Sequence, residues 1–324
     1  MSSRSDASAA RAKFDGYLKR LSVPVVAAPL FIISHPPLTI AQCRAGVIGA
    51  FPALNARPAA QLDEWLSEIT ETLTEDDAPF AVNQIVHKSN DRLEHDIEMC
   101  VKYEVPIVIT SLGARPEVND AIHSYGGIVL HDIINDRFAH KAIEKGADGL
   151  IAVAAGAGGH AGTLSPFALV SEIREWFDGP LLLSGAISTG DGVLAAQAAG
   201  ADMAYLGSAF IATEEARAVD EYKSMIADAR ADDIVYSNLF TGVHGNYLRG
   251  SIERAGMDPN DLPESDPSAM NFSSGSSKAW KDIWGAGQGV GGIKSVSSTA
   301  DYVAKLSKEY EAARQRVLGG KASS

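Results

Sequence analysis

Residues 148–208 read DGLIAVAAGAGGHAGTLSPFALVSEIREWFDGPLLLSGAISTGDGVLAAQAAGADMAYLGS, and this stretch decides the fold. Three short apolar runs, 148–154, 180–185 and 202–207, are separated by two helical patterns, 166–177 and 190–199. Apolar runs without in–out alternation predict strands covered on both faces, as in a parallel sheet. The second helical pattern ends at Ala199-Gly200-Ala201, a glycine stop before the next strand. Working outward toward the N-terminus, five more such runs appear, at 23–29, 47–51, 79–85, 105–111 and 127–131. Helical patterns at 61–73, 91–102, 116–125 and 137–145 lie between them. Eight strands with crossover helices predict a (β/α)8 barrel. An open doubly wound sheet is the alternative; the count of eight, and no glycine fingerprint after the first run, favour the barrel.

Beyond residue 214 the pattern changes. Residues 216–230 read as a helix, and 234–292 as irregular, with Pro259, Pro263 and Pro267, a Ser/Gly stretch at 272–277 and a glycine run at 285–292. A loop region this long in a compact chain is usually functional, and a small, mostly irregular and helical cap over the barrel mouth is expected. Residues 298–317 are amphipathic and close the fold as a terminal helix; 322–324 are expected to fray. The expected division is a barrel over 1–215, completed by a helix at 298–318, with 216–297 as the cap.

Composition narrows the function classes. The 324 residues are 46% hydrophobic and 21% charged, with mean hydropathy −0.02, which marks a globular chain with ample core. A net charge of −13 argues against nucleic acid, which needs a basic footprint, but leaves room for a small anion in a backbone-lined pocket. Cys43 and Cys100 are too few for a disulfide framework or a multi-cysteine metal site and read as apolar fillers. Residues 1–14 are polar and lack a signal-peptide core, and the longest apolar run, around 23–33, is interrupted by Pro24 and Pro29 and too short to span a bilayer. A soluble, cytoplasmic protein without membrane contact is expected.

In such a barrel the chemistry lies in the loops after the strands. The loop after the sixth run holds His160 among Gly156, Gly158, Gly159 and Gly162. Glycine lets backbone approach a flat ligand, and a histidine pointing into the mouth with a near-neutral pKa suits acid–base work; a flexible loop with a solvent histidine is the plain alternative. The loops after the seventh and eighth runs, with Ser184, Gly185, Ala186 and Leu206, Gly207, Ser208, offer small residues, exposed amides and hydroxyls for a phosphate, unless the glycines only close turns and the serines cap helices. Ala28, Pro29 and Leu30 end the first run, Asn83 the third, and His131 with Asp132 the fifth. Each reads alone as structural, and His131, Asp132 and Asp136 fit no strong metal spacing, so no metal is expected. Gly-x-Gly-x-x-Ala at 156, 158 and 161 follows the sixth run rather than the first and its helix starts late, and Gly-x-Gly-x-x-Gly at 287, 289 and 292 follows no strand, so neither reads as a dinucleotide site.

With AGGHAG at 157–162, LLLSGAISTG at 181–190, YLGSAFIAT at 205–213, APL at 28–30, PFAVN at 79–83 and GAGQGVGGI at 285–293, the chain resembles the nitronate monooxygenase family, FMN-dependent barrel enzymes. The resemblance implies that Ser184, Gly185, Ala186, Leu206, Gly207 and Ser208 hold the FMN phosphate. It implies that Ala28, Pro29, Leu30, Asn83, Gly158 and Gly159 lie along the flavin, that Gln288 reaches it, and that His160 is the active-site base or orients the substrate. The implied reaction takes a nitronate or nitroalkane with O2 to a carbonyl compound and nitrite. An FMN-dependent NAD(P)H reductase of a quinone or enoyl thioester is the alternative, and a flavin-free barrel for a phosphorylated metabolite a third. The chain departs from the pattern at APL, at Ala157, at Ala186, at Val153 and at Asp132, where several relatives have lysine. These departures leave substrate and NAD(P)H use open; a homo-oligomer is also left open.

Overall fold

A computed structural model of the protein describes residues 3–265 and 282–319, so Pro267, the 272–277 stretch and residues 322–324 lie outside the described residues. The eight runs form eight parallel strands: β1 (Val25–Ala27), β2 (Gly49–Pro52), β3 (Phe80–Ile85), β4 (Ile107–Ser111), β5 (Ile128–Ile133), β6 (Gly149–Val153), β8 (Leu181–Ser184) and β9 (Met203–Leu206). Their order is β1-β9-β8-β6-β5-β4-β3-β2. The ends of that order meet: Ala27 N donates to Ile48 O at 2.8 Å and Ile48 N to Val25 O at 3.1 Å. That closure excludes the open sheet.

Both strand faces are apolar for different reasons. Val26, Ile48, Ala50, Ala81, Ile107, Ile109, Ile128, Leu130, Ile151, Leu182 and Met203 pack together inside the barrel. The alternate residues, among them Val82, Val108, Val129, Ala152, Leu183 and Ala204, pack outward with the helices. This is why the runs read as continuous. The N-terminal stretch, read from sequence only as polar, forms helix α1 (Ser3–Leu18) and delivers Phe14, fully buried, to the inner cluster.

The surrounding helices are α2 (Pro36–Ala45), α3 (Gln61–Thr72), α4 (Leu93–Lys102), α5 (Pro116–His123), α6 (Asp136–Glu144), α7 (Pro166–Arg174) and α8 (Gly190–Ala199). Helix α2 was not evident in the sequence; it starts on two prolines and stops at left-handed Gly46. After β9 only a short helix, α9 (Ser208–Ile211), follows, and the long closing helix (Thr299–Leu318) packs between α8 and α2. Gly190 permits that approach, since a Cβ there would sit 2.4 Å from the Glu309 carbonyl carbon.

The region expected to form a cap differs from the sequence reading in its elements. The helix expected over 216–230 is shorter, α10 (Asp220–Asp228). The region expected to be irregular contains an antiparallel pair, β10 (Ile234–Ser237) and β11 (Gly245–Leu248), followed by α11 (Arg249–Arg254). Its third strand, β7 (Gly159–His160), comes from the glycine loop after β6. Strands of four and two residues with a distant partner leave no periodicity to read. Among the described residues no helix is long and apolar enough to cross a membrane.

Candidate active site

Strand register brings the predicted loops together. Val153 pairs with Ser184, Ser184 with Tyr205 and Ala27 with Leu206, so the loops after β8 and β9 and the end of β1 stand side by side. Ala28 N donates to Leu206 O at 2.7 Å. A Cβ on Gly207 would touch Leu30 Cδ2 at 3.4 Å and Ala28 Cβ at 3.5 Å, which makes Ala28, Leu30 and Gly207, with Pro29 between them, one half-buried ledge. After β8 the chain turns through Gly185 (φ 139) and Ala186 (φ 55). A non-glycine residue with positive φ is strained, and such strain collects at functional turns. The turn feeds α8, whose N-cap Thr189 accepts from Gly192 N.

The glycines do more than the sequence reading gave them. A Cβ on Gly158 would lie 2.8 Å from Gly287 N, on Gly287 2.6 Å from Gly156 O, and on Gly289 2.7 Å from the Ala186 carbonyl carbon. The two Gly-x-Gly stretches are therefore two loops laid backbone on backbone and against the turn after β8. At Gly156 and Gly158 the space a side chain would need is filled by protein. Polar bonds fix the stack: Ser188 Oγ donates to Gly289 O at 2.6 Å, and Gly287 N donates to Ser208 Oγ at 2.8 Å. The Ala186 amide, expected to face an anion, donates instead to Gly156 O at 3.2 Å, as does Gln288 N at 2.9 Å. Gln288 is exposed, with Oε1 beside Gly156.

His160 is half-buried in β7, opposite Gly245 of β11. Strands β10 and β11 grip its loop: Asn246 Nδ2 donates to Ala157 O at 2.6 Å and Tyr236 Oη to Ala161 O at 3.2 Å. His160 Nε2 lies 3.0 Å from Thr241 Oγ1. Thr241 has one hydroxyl proton and gives it to Val243 O at 3.0 Å, so it accepts from His160. The imidazole then carries its proton on Nε2 and a lone pair on Nδ1. Burial pushes its pKa down to about 4, not the near-neutral value expected, so the ring is neutral at pH 7. Sequence reasoning missed Thr241; no motif marks it.

Inside the mouth, strand alternation places Asn83, Ser111, Asp132, Val153, Ser184 and Tyr205 on the faces that carry the inner cluster. Asn83 Nδ2 donates to Ser111 Oγ at 2.8 Å and to Ile109 O at 3.1 Å, and Ser111 Oγ donates to Asp132 Oδ2 at 2.6 Å. Burial pushes the Asp132 carboxyl up to about 6. His131 faces the other side of β5, against Thr110 Oγ1 at 2.6 Å, and burial pushes it down to about 4. The two neighbours therefore belong to different layers. Ser111 and Tyr205 were also missed, although the parity of polar residues at strand ends carries a signal for them.

A family model for nitronate monooxygenase matches residues 90–309. A probable nitronate monooxygenase of Staphylococcus saprophyticus is 32% identical, the alignment covering 69% of this chain and 75% of that protein. A (3aS,4S,5R,7aS)-5-hydroxy-7a-methyl-1-oxo-octahydro-1H-indene-4-carboxyl-CoA dehydrogenase of Rhodococcus jostii is 26% identical over 72% of this chain, and the match spans only 65% of that relative's length. In fold, the nitroalkane oxidase of Streptomyces ansochromogenes superposes with TM-score 0.78 at 23% identity, covering 92% of this chain and 99% of that one. On this evidence the chain belongs to the nitronate monooxygenase family of flavin-dependent (β/α)8 oxidoreductases.

Proposed function

We propose that the protein binds FMN and oxidises nitronates or nitroalkanes with O2 to carbonyl compounds and nitrite. The observation that supports this most is the convergence of the His160 loop, the turns after β8 and β9, and the 285–293 segment on one end of the barrel. The donor set suits the cofactor: Ser184, Gly185, Gly207 and Ser208, with Leu206 behind them and Ala186 as a wall, would hold the phosphate at two neighbouring strand ends. Ala28, Pro29, Leu30 and Asn83 would line the ring, with Gly158, Gly159 and Gln288 at its border. When bound, the flavin supplies the electron transfer; the protein supplies placement and proton movement.

His160 is suited to the proton step. A neutral imidazole can take the proton from the carbon next to a nitro group. The nitronate anion formed then offsets the cost of a buried imidazolium. The test is a spectrum of the purified protein and turnover of a neutral nitroalkane, whose carbon still carries the proton that His160 would take. The His160→Asn variant should keep bound flavin and lose turnover by roughly a hundredfold or more. Full turnover would remove His160 from the mechanism, and a protein that takes up no FMN would end the reading.

One finding supports a second reading, an NAD(P)H-dependent reductase of an enoyl or related thioester: the Rhodococcus jostii relative is named for a CoA-thioester dehydrogenase. Rapid anaerobic bleaching of the flavin by NADH or NADPH would favour it.

A further inference from the structure

The barrel mouth contains a carboxyl without a counter-charge. Asp132 lies on the inner face of β5, half-buried. The strand-end residues on the same inner face are Asn83 of β3, Ser111 of β4, Val153 of β6, Ser184 of β8 and Tyr205 of β9. Among these only Tyr205 is titratable, and burial with the Asp132 charge pushes its pKa far up, so it is neutral. His131 is turned to the other face. His160, on the loop above the mouth, is neutral. Among the described residues, the Ser111 hydroxyl is the hydrogen-bond partner of Asp132, at 2.6 Å, and no cation acts on it.

The hydrogen-bond chain fixes what this layer can offer. Ser111 spends its proton on Asp132 Oδ2 and accepts from Asn83. Both Asn83 Nδ2 protons are used, on Ser111 Oγ and Ile109 O, which leaves Asn83 Oδ1 as an acceptor. A planar ligand that covers this layer would remove the remaining water from Asp132. An unpaired carboxylate out of water is far costlier than a neutral acid, so covering the group favours protonation.

We propose that Asp132 takes up one proton from solvent when the ring site is filled and, as the neutral acid, donates from Oδ1 to a ring carbonyl while Asn83 Oδ1 accepts from a ring N–H. That pattern matches an imide edge, C(=O)–N(H)–C(=O), which the flavin pyrimidine ring carries; the inference rests on the flavin reading above. A lysine in this place would supply a donor at any pH, whereas Asp132 makes binding depend on a proton.

The test is FMN affinity, read from quenching of flavin fluorescence on the flavin-free full-length protein between pH 5.5 and 8.5, for the wild type and Asp132→Asn. The ratio of the two dissociation constants cancels the titration of the FMN phosphate itself. Wild-type binding should weaken relative to the variant by about tenfold per pH unit above about pH 6. A ratio independent of pH overturns the inference and leaves the flavin reading standing; a wild type that binds no FMN at any pH overturns both. If Asp132→Asn does not fold, calorimetric titration of the wild type with FMN at pH 8, in two buffers of different ionisation heat, decides. Uptake of about one proton supports the inference, and uptake near zero overturns it.

Discussion

Thr241 shows how much one hydroxyl can determine. Its proton goes to Val243 O, so it accepts from His160 and sets which ring nitrogen keeps the lone pair. A Thr241→Val variant removes the acceptor without changing shape much. Turnover is expected to fall about tenfold, the worth of one buried hydrogen bond, with Thr241→Ser recovering most of it. Nitrogen-15 shifts of the His160 ring should show the Nε2–H form in the wild type and a tautomer mixture in Thr241→Val. An unchanged tautomer would mean that another group sets the ring. The sequence could point to His160 through its glycines, but not to Thr241, which reaches it from 81 residues along the chain. Parity along β5 separates Asp132 from His131, yet which parity faces inward is decided only when the barrel closes.

At the scale of elements, the late glycine segment acts as a third wall of the site. Gly289→Ala would drive a Cβ to 2.7 Å from the Ala186 carbonyl carbon, where backbone cannot yield as a side chain would. The expected cost is about 1–3 kcal/mol in unfolding free energy, with weaker FMN retention because the turn after β8 must shift. Gly16→Ala is the control: a Cβ there meets nothing within 4 Å, and in exposed helix α1 the change should stabilise by about 0.5–1 kcal/mol. Denaturant titration of both variants separates loop stacking from general glycine flexibility; equal effects would remove the stacking argument. The glycine spelling was visible in the sequence, but its meaning was not, because the partner of each glycine is another loop.

Across the whole molecule, two imidazoles held neutral by burial set an acid limit, and one carboxyl opposes them. His131 and His160 have folded pKa values near 4, below the free imidazole value of about 6.5, so their contribution to stability is complete above 6.5 and is lost as pH falls toward 4. Asp132, raised to about 6, acts oppositely, favouring the folded state at low pH and losing that contribution as pH rises through 6. Two groups outweigh one, so the melting temperature of the flavin-free protein should drop between pH 7 and pH 5. His131→Asn should make the drop shallower. A melting temperature that holds or rises on acidification would show that the imidazoles are not held neutral.

Local residue pattern alone determined the positions of the eight barrel strands and of helices α3 to α8, and the end of the barrel at which the candidate site lies, because burial on two faces and glycine stops are written within a few neighbouring residues. Closure of the ring, the cap strand that binds the His160 loop, the stacking of three glycine loops and the Asn83–Ser111–Asp132 chain were decided by tertiary structure. Each depends on contacts between segments far apart in sequence, and such contacts leave no period or spacing in the chain to read.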